Sequence, residues 1–244
     1  MEIFRPTVLA VKMEAPSVMT YHFNIPEGFD WKEGSHLHLA MPDFDLASGR
    51  NPNKIRHMSI ATQPFEGSIA ITTRLTGDSP FKKELAKIQP GDRMQLFHIS
   101  SRLHLRRSGR PIILLSNGVG LAAFRPLIME YLKNPVGIPS LHSFTMSKPG
   151  ETLYKEDLTL PSSDSLSHTW YSDKQAFHQV ISQNGFQDAL FYIVGSDLFI
   201  QDTIYRLRKL GVLDNDMILD KKPPVRQMFF QTMDLITATP FAFK

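Results

Sequence analysis

The sequence predicts two folded parts in series. The first is an antiparallel β domain, barrel or sandwich. The second is an α/β domain whose parallel sheet is covered on both faces. Three observations predict this. Short runs rich in β-branched and aromatic residues recur through the first hundred positions, with Pro and Gly between them. A polar stretch at residues 106–111 then breaks the pattern. Beyond it, apolar runs alternate with helical segments, as parallel sheets require.

In the first part, strands are predicted at residues 7–11, 19–23, 36–40, 57–61, 68–73 and 93–97. Their punctuation is Pro26, Gly28, Gly34, Pro42, Pro64, Gly67, Pro90 and Gly91. One short helix at residues 79–88 interrupts them. It opens with Ser79 as a cap and Pro80 at the first helical position, and it places Phe81, Leu85 and Ile88 on one face. In the second part, strands are predicted at 112–116, 140–146 and 189–194, and helices at 122–132, 174–183 and 198–210, the last ended by Gly211. Residues 162–167 read as a Ser-rich loop. In the tail, Pro223-Pro224 is predicted to stop regular structure, with Phe229, Phe230, Phe241 and Phe243 following. The domains are thus placed at 1–108 and 109–220, with a tail at 221–244.

Composition narrows the chemistry. The 244 residues are 42% apolar and 21% charged, with a net charge of +3. That charge does not form the clustered stripe of a nucleic-acid surface, so no nucleic-acid partner is expected. There are no cysteines, which excludes disulfides, thiolate metal sites, a catalytic thiol and Cys-held iron–sulfur clusters. If electrons move through this chain, an organic cofactor or a His/carboxylate-bound metal must carry them. No window approaches the roughly 20 apolar residues of a membrane span. The N-terminus has no signal-like apolar run, so a cytoplasmic location is expected.

Four constellations could carry chemistry. Residues 112–116 run from a buried strand into Asn117-Gly118-Val119-Gly120 and then a helix. Such a turn can approach phosphate oxygens, or it can need glycine only for its own dihedrals. Gly195-Ser196 ends a later strand, where ligands of open parallel sheets collect. In Arg56-His57-Met58-Ser59, strand alternation puts Arg56 with Met58 and His57 with Ser59. An Arg among apolar strand residues needs an anionic partner, either a phosphate or a carboxylate such as Asp78. Gly77-Asp78-Ser79-Pro80-Phe81 is a turn feeding a helix start, which suits an anion or an ordinary cap. His36 and His38 alternate on one strand face as two possible metal ligands without a third, and no metal is assigned.

In order and spacing, these pieces resemble the ferredoxin–NADP reductase-like flavoproteins, over residues 5–222. Arg56-His57-Met58-Ser59 is similar to that family's Arg-x-Tyr-Ser/Thr motif. Gly77–Phe81 stands where the family binds flavin phosphates. Residues 116–126 are similar to its Gly-Gly-x-Gly-x-Thr-Pro motif, and residues 192–196 to its Tyr-x-Cys-Gly-Pro motif. The resemblance implies a Greek-key β-barrel followed by a Rossmann-like doubly wound domain. It implies FAD, less readily FMN, and NAD(P)H as cofactors.

Residue by residue, the resemblance places Arg56 at a flavin phosphate, with Met58 and Ser59 at the reacting ring and His57 beside them. Thr72, Thr73 and Arg74 would line the flavin, and Gly77, Ser79 and Phe81 its pyrophosphate. Asn117, Gly118, Val119, Gly120, Gly195 and Ser196 would receive the nicotinamide dinucleotide. Ser147-Lys148 could hold a 2′-phosphate or be a solvated loop end. Hydride would pass from nicotinamide to flavin, and electrons then to a separate acceptor, either a flavodoxin- or ferredoxin-like protein or a small molecule.

The sequence also departs from the family pattern. Met58 replaces the stacking Tyr, Asn117 the first Gly, Ala122-Ala123 the Thr-Pro, Val194 the Cys and Ser196 the Pro. These departures leave two alternatives open: a flavin-binding electron-transfer subunit or sensor with a degenerate nicotinamide site, and a ferric-chelate reductase. Lys82-Lys83 and Arg106-Arg107 are solvated charges or docking points for an acidic partner. Phe229-Phe230 could cover the flavin, pack against the body or make a dimer contact. The sequence does not indicate the acceptor, the preferred nicotinamide or the oligomeric state.

Overall fold

The computed structural model describes residues 2–49, 51, 53–159, 163–183, 186 and 188–237. They fall into two compact units. One comprises the chain up to Leu105 together with Leu121–Asn134 and Glu151–Leu158, and the other comprises the remainder.

In the first unit, β1 (Val8–Ala15), β2 (Val18–Phe23) and β5 (Ile69–Arg74) form one antiparallel sheet. In the other sheet, β4 (Ile55–Ser59), β3 (Ser35–Ala40) and β6 (Gln95–Ser101) pair in that order. Isolated antiparallel bridges Ile60↔Ile71 and Thr7↔Arg93 join the sheets at both edges, giving the barrel order β1-β2-β5-β4-β3-β6. Strand alternation builds the core. Leu37, Leu39, Ile69, Ile71 and Leu96 are fully buried, with Phe81 and Leu85 of helix α1 (Pro80–Leu85) packed among them. The Tyr21 hydroxyl donates to the Leu85 carbonyl at 2.8 Å, which ties α1 to β2. Burial pushes that phenol up to about 12.

Helix α2 (Leu121–Lys133) and the single turn α3 (Lys155–Leu158) belong to this unit, and Arg125 explains why. Its guanidinium donates to Asp157 at 2.8 Å, to Glu66 at 2.6 Å and to the Ala61 carbonyl at 2.8 Å. Gln63 adds a bond to the Pro126 carbonyl at 2.8 Å. Burial opposes the charge on Arg125, but the bonds to Glu66 and Asp157 outweigh it and hold the group above its ordinary pKa.

The second unit is a five-stranded parallel sheet. It contains β7 (Ile112–Asn117), β8 (Leu141–Met146), β9 (Leu166–Tyr171), β10 (Leu190–Val194) and β11 (Met217–Leu219), in the order β11-β10-β7-β8-β9. The order reverses between β7 and β10, which is the crevice where ligands of doubly wound sheets bind. Ile113, Leu115, Phe144, Phe191 and Ile193 lie on one face. They pack with Phe177 and Ile181 of α4 (Lys174–Gln183) and with Ile200 and Ile204 of α5 (Asp197–Lys209).

Two expectations are corrected. Pro223-Pro224 does not stop regular structure but opens α6 (Pro223–Thr237), because a helix's first turn has no use for the missing N–H groups. Phe229 is buried in the core of this unit. Phe241 and Phe243 lie outside the described residues. The Ser-rich segment gives way to strand β9 at Leu166, a strand the sequence did not reveal.

Candidate active site

In the first unit the site begins on β4. Arg56 and Met58 sit opposite Leu39 and Leu37, both fully buried, so they share the face turned to the barrel core. His57 and Ser59 take the other face, opposite His38 and His36. The motif therefore splits as its alternation requires. Met58 packs partly against the core, whereas His57 is exposed with its ring 4.1 Å from that of His36.

Arg56 is half-buried. Its Nη1 donates to the Ile55 carbonyl at 2.9 Å and its Nη2 to Ser79 Oγ at 3.0 Å, and the guanidinium lies 5.2 Å from the centre of the Phe81 ring. Among the described residues no carboxylate pairs with it. Asp78, the carboxylate considered from sequence, is exposed and pairs with Lys83 at 3.1 Å. Ser79 occupies the cap position of α1, but its hydroxyl accepts from Arg56 and caps no backbone N–H. Gly77 has φ 93°, and a Cβ there would meet nothing. Arg56, Ser79 and Phe81 thus converge as a cation with a hydroxyl beside it and, among the described residues, no paired carboxylate. A phosphate fits that donor set.

The β5 residues are occupied differently. Thr72 Oγ1 lies 2.6 Å from Thr20 Oγ1 and accepts from the Tyr154 hydroxyl at 2.6 Å. Burial of Tyr154 raises its phenol, partly opposed by this bond. Arg74 pairs bidentately with the buried Glu151, its Nη1 at 2.9 Å, and that bond raises the guanidinium pKa. Thr73 is buried on the same strand. Glu66, Arg125, Glu151, Tyr154 and Asp157 were missed by sequence reasoning. Their partners are 32 to 82 residues away in the chain, so no local pattern announces them.

In the second unit the glycines divide by role. Gly118 has φ 54°, and a Cβ there would meet nothing, so this turn faces open space in a backbone conformation that favours glycine. A Cβ on Gly120 would lie 2.7 Å from the Val194 carbonyl oxygen. A Cβ on Gly195 would lie 2.6 Å from the Phe199 ring and 3.1 Å from Asn117. The turns after β7 and β10 therefore press on each other, as the crevice geometry requires. Asn117 Nδ2 donates to the Met146 carbonyl at 3.4 Å, and Val119 completes the turn between the glycines. Ser196 Oγ caps α5 by accepting from Phe199 N at 3.3 Å. Ser147, just past β8, is 8% exposed, and its hydroxyl has no hydrogen-bond partner among the described residues. Lys148 beside it is exposed. His36, His38, His57 and His98 gather on one sheet face, but no group of three or more metal-binding side chains arises among the described residues. No helix is long and apolar enough to cross a membrane among the described residues.

No family model matches the chain. One component of the Na(+)-translocating NADH-quinone reductase of Pseudoalteromonas atlantica is 22% identical over 244 residues, covering 86% of this chain and 58% of that protein. The chain thus spans somewhat over half the length of this relative. A ferredoxin NADP+ reductase from Neisseria gonorrhoeae, solved with FAD and NADP, superposes with a TM-score of 0.76 at 17% identity, over 90% of this chain and 98% of that one. The ferredoxin reductase of carbazole 1,9a-dioxygenase superposes with a TM-score of 0.74 at 16% identity, over 90% of this chain and 69% of that one. With its six-stranded antiparallel barrel and five parallel strands reversing at β7 and β10, the chain has the ferredoxin–NADP reductase-like fold.

Proposed function

We propose that this chain is an FAD-dependent NAD(P)H oxidoreductase that passes electrons to a separate acceptor. The observation that carries the reading is Arg56, a half-buried cation bonded to Ser79 and with no carboxylate paired to it among the described residues. Arg56, Ser79 and the turn at Gly77 would hold the flavin phosphates. Gly118 and the crevice between β7 and β10 would receive the dinucleotide. Ser147 and Lys148 would take a 2′-phosphate, which favours NADPH over NADH. When bound, the flavin supplies a two-electron acceptor for hydride and a one-electron donor to the partner. The protein's share is to bind and orient both cofactors.

The test is the absorbance spectrum of the purified protein, followed by stopped-flow mixing with NADPH and NADH. Flavin bleaching within seconds, faster with NADPH, is expected. A colourless protein that binds no added FAD overturns the reading.

A second reading keeps the flavin and drops the nicotinamide. It is favoured by Gly120, Gly195 and Ser196, all of which serve the packing and capping of the protein itself. Persistent yellow colour with both donors would select it.

A further inference from the structure

The face of the parallel sheet opposite the apolar core carries polar side chains that no proposed step uses. In register, Ser143 stands beside His168 and Thr145 beside Trp170. Thr145 Oγ1 is satisfied by Ser116 Oγ at 2.7 Å. Ser143 is fully buried and its Oγ has no hydrogen-bond partner among the described residues. Among the described residues, neither ring nitrogen of His168 has one, nor has the indole nitrogen of Trp170, and all three atoms are buried. The His168 and Trp170 rings meet edge to face, their centroids 4.3 Å apart. Neighbouring strands lie about 4.8 Å apart, so these groups are side by side without bonding one another.

We propose that Ser143, His168 and Trp170 form an internal binding site for ordered water. The strands themselves offer a ligand no charged partner here: Asp, Glu, Lys and Arg are all absent from this face of β7, β8 and β9, which suits a neutral ligand. Burial lowers the His168 pKa to about 4, so the imidazole is uncharged near neutrality, with one donor and one acceptor nitrogen. The indole can only donate, and the serine hydroxyl does both. One water can accept from Trp170 and donate to the bare nitrogen of His168 while bonding Ser143. That is the two-to-four-partner pattern of buried water. An apolar ligand would leave every one of these atoms unsatisfied. None of these three side chains is among those assigned to either cofactor, so the proposal does not depend on dinucleotide binding.

The test uses the full chain. A crystal structure fine enough to place water should show at least one molecule bonded to two of the three side chains. A dry site, or xenon binding there under pressure, overturns the proposal. Ser143→Ala and His168→Phe should each lower Tm by about 2–4 °C, and the double variant should lose less than the sum, since both residues share one ligand. A rise in Tm for either, or strict additivity, sinks it. If His168→Phe fails to fold, Ser143→Ala and the crystal still decide.

Discussion

Arg56 Nη2 donates to Ser79 Oγ at 3.0 Å, and Asp78, next to that serine, turns away to Lys83. Among the described residues, no carboxylate pairs with this guanidinium. Removing Arg56 strands no buried carboxylate. Arg56→Ala should therefore change folding stability by no more than about 1 kcal/mol. It should weaken flavin binding by about 2–3 kcal/mol, roughly 30- to 150-fold, as the loss of a charge-assisted phosphate contact predicts. Urea melts and fluorescence titration of the apoprotein with FAD measure the two effects. Unchanged flavin affinity would remove Arg56 from the site.

Arg125 is the opposite case. Its three bonds, to Glu66, Asp157 and the Ala61 carbonyl, satisfy a side chain that is 10% exposed. Arg125→Met should destabilise the fold by about 3 kcal/mol, because it leaves two acids and a carbonyl without their donor. A variant with a near-native urea midpoint would show the network to be dispensable.

The glycines of the β7 turn should separate binding from folding. Gly120→Ala forces a methyl to 2.7 Å from the Val194 carbonyl oxygen, and overpacking of that kind costs about 1–3 kcal/mol. Gly118→Ala meets no atom and carries only the left-handed strain of φ 54°, about 1–2 kcal/mol. Gly118→Ala should raise KM for the nicotinamide donor, because its methyl points into open space beside the turn. Equal KM in Gly118→Ala and the parent would place the dinucleotide elsewhere.

His168 sets a pH dependence. Burial lowers its pKa from 6.5 to about 4, so between those values the unfolded chain binds a proton that the folded chain does not. Stability from this residue is therefore full above pH 6.5 and falls as pH drops toward 4, by up to about 3 kcal/mol. Bound water would reduce the amplitude but keep the sign. Chemical denaturation at pH 7, 6, 5 and 4 should show this slope, and it should flatten in His168→Phe. An equal slope in both proteins would assign it to other groups, such as His22 and His142, whose pKa values burial also lowers.

Much of the architecture is written locally. Alternation along β3 and β5, the cap and proline at the start of α1, and the apolar runs of β7 and β10 each satisfy short-range rules, so they could be read one segment at a time. The strand β9 could not be. Its sequence Leu-Ser-His-Thr-Trp-Tyr is half polar, and it becomes a strand by pairing with β8. The helix α6 was missed because two prolines forbid a helix everywhere but at its start, where they stand.

The sequence by itself determined the order of antiparallel and parallel parts, the absence of thiol chemistry and the positions of Arg56, Ser79 and Gly118. All three facts live in composition or in neighbouring residues. The tertiary structure alone decided that Arg74 belongs to Glu151, that Thr72 is held by Tyr154 and Thr20, and that Gly120 and Gly195 make room for adjoining strands. Those pairings join residues far apart in the chain, and only folding brings them within reach of a hydrogen bond or a van der Waals contact.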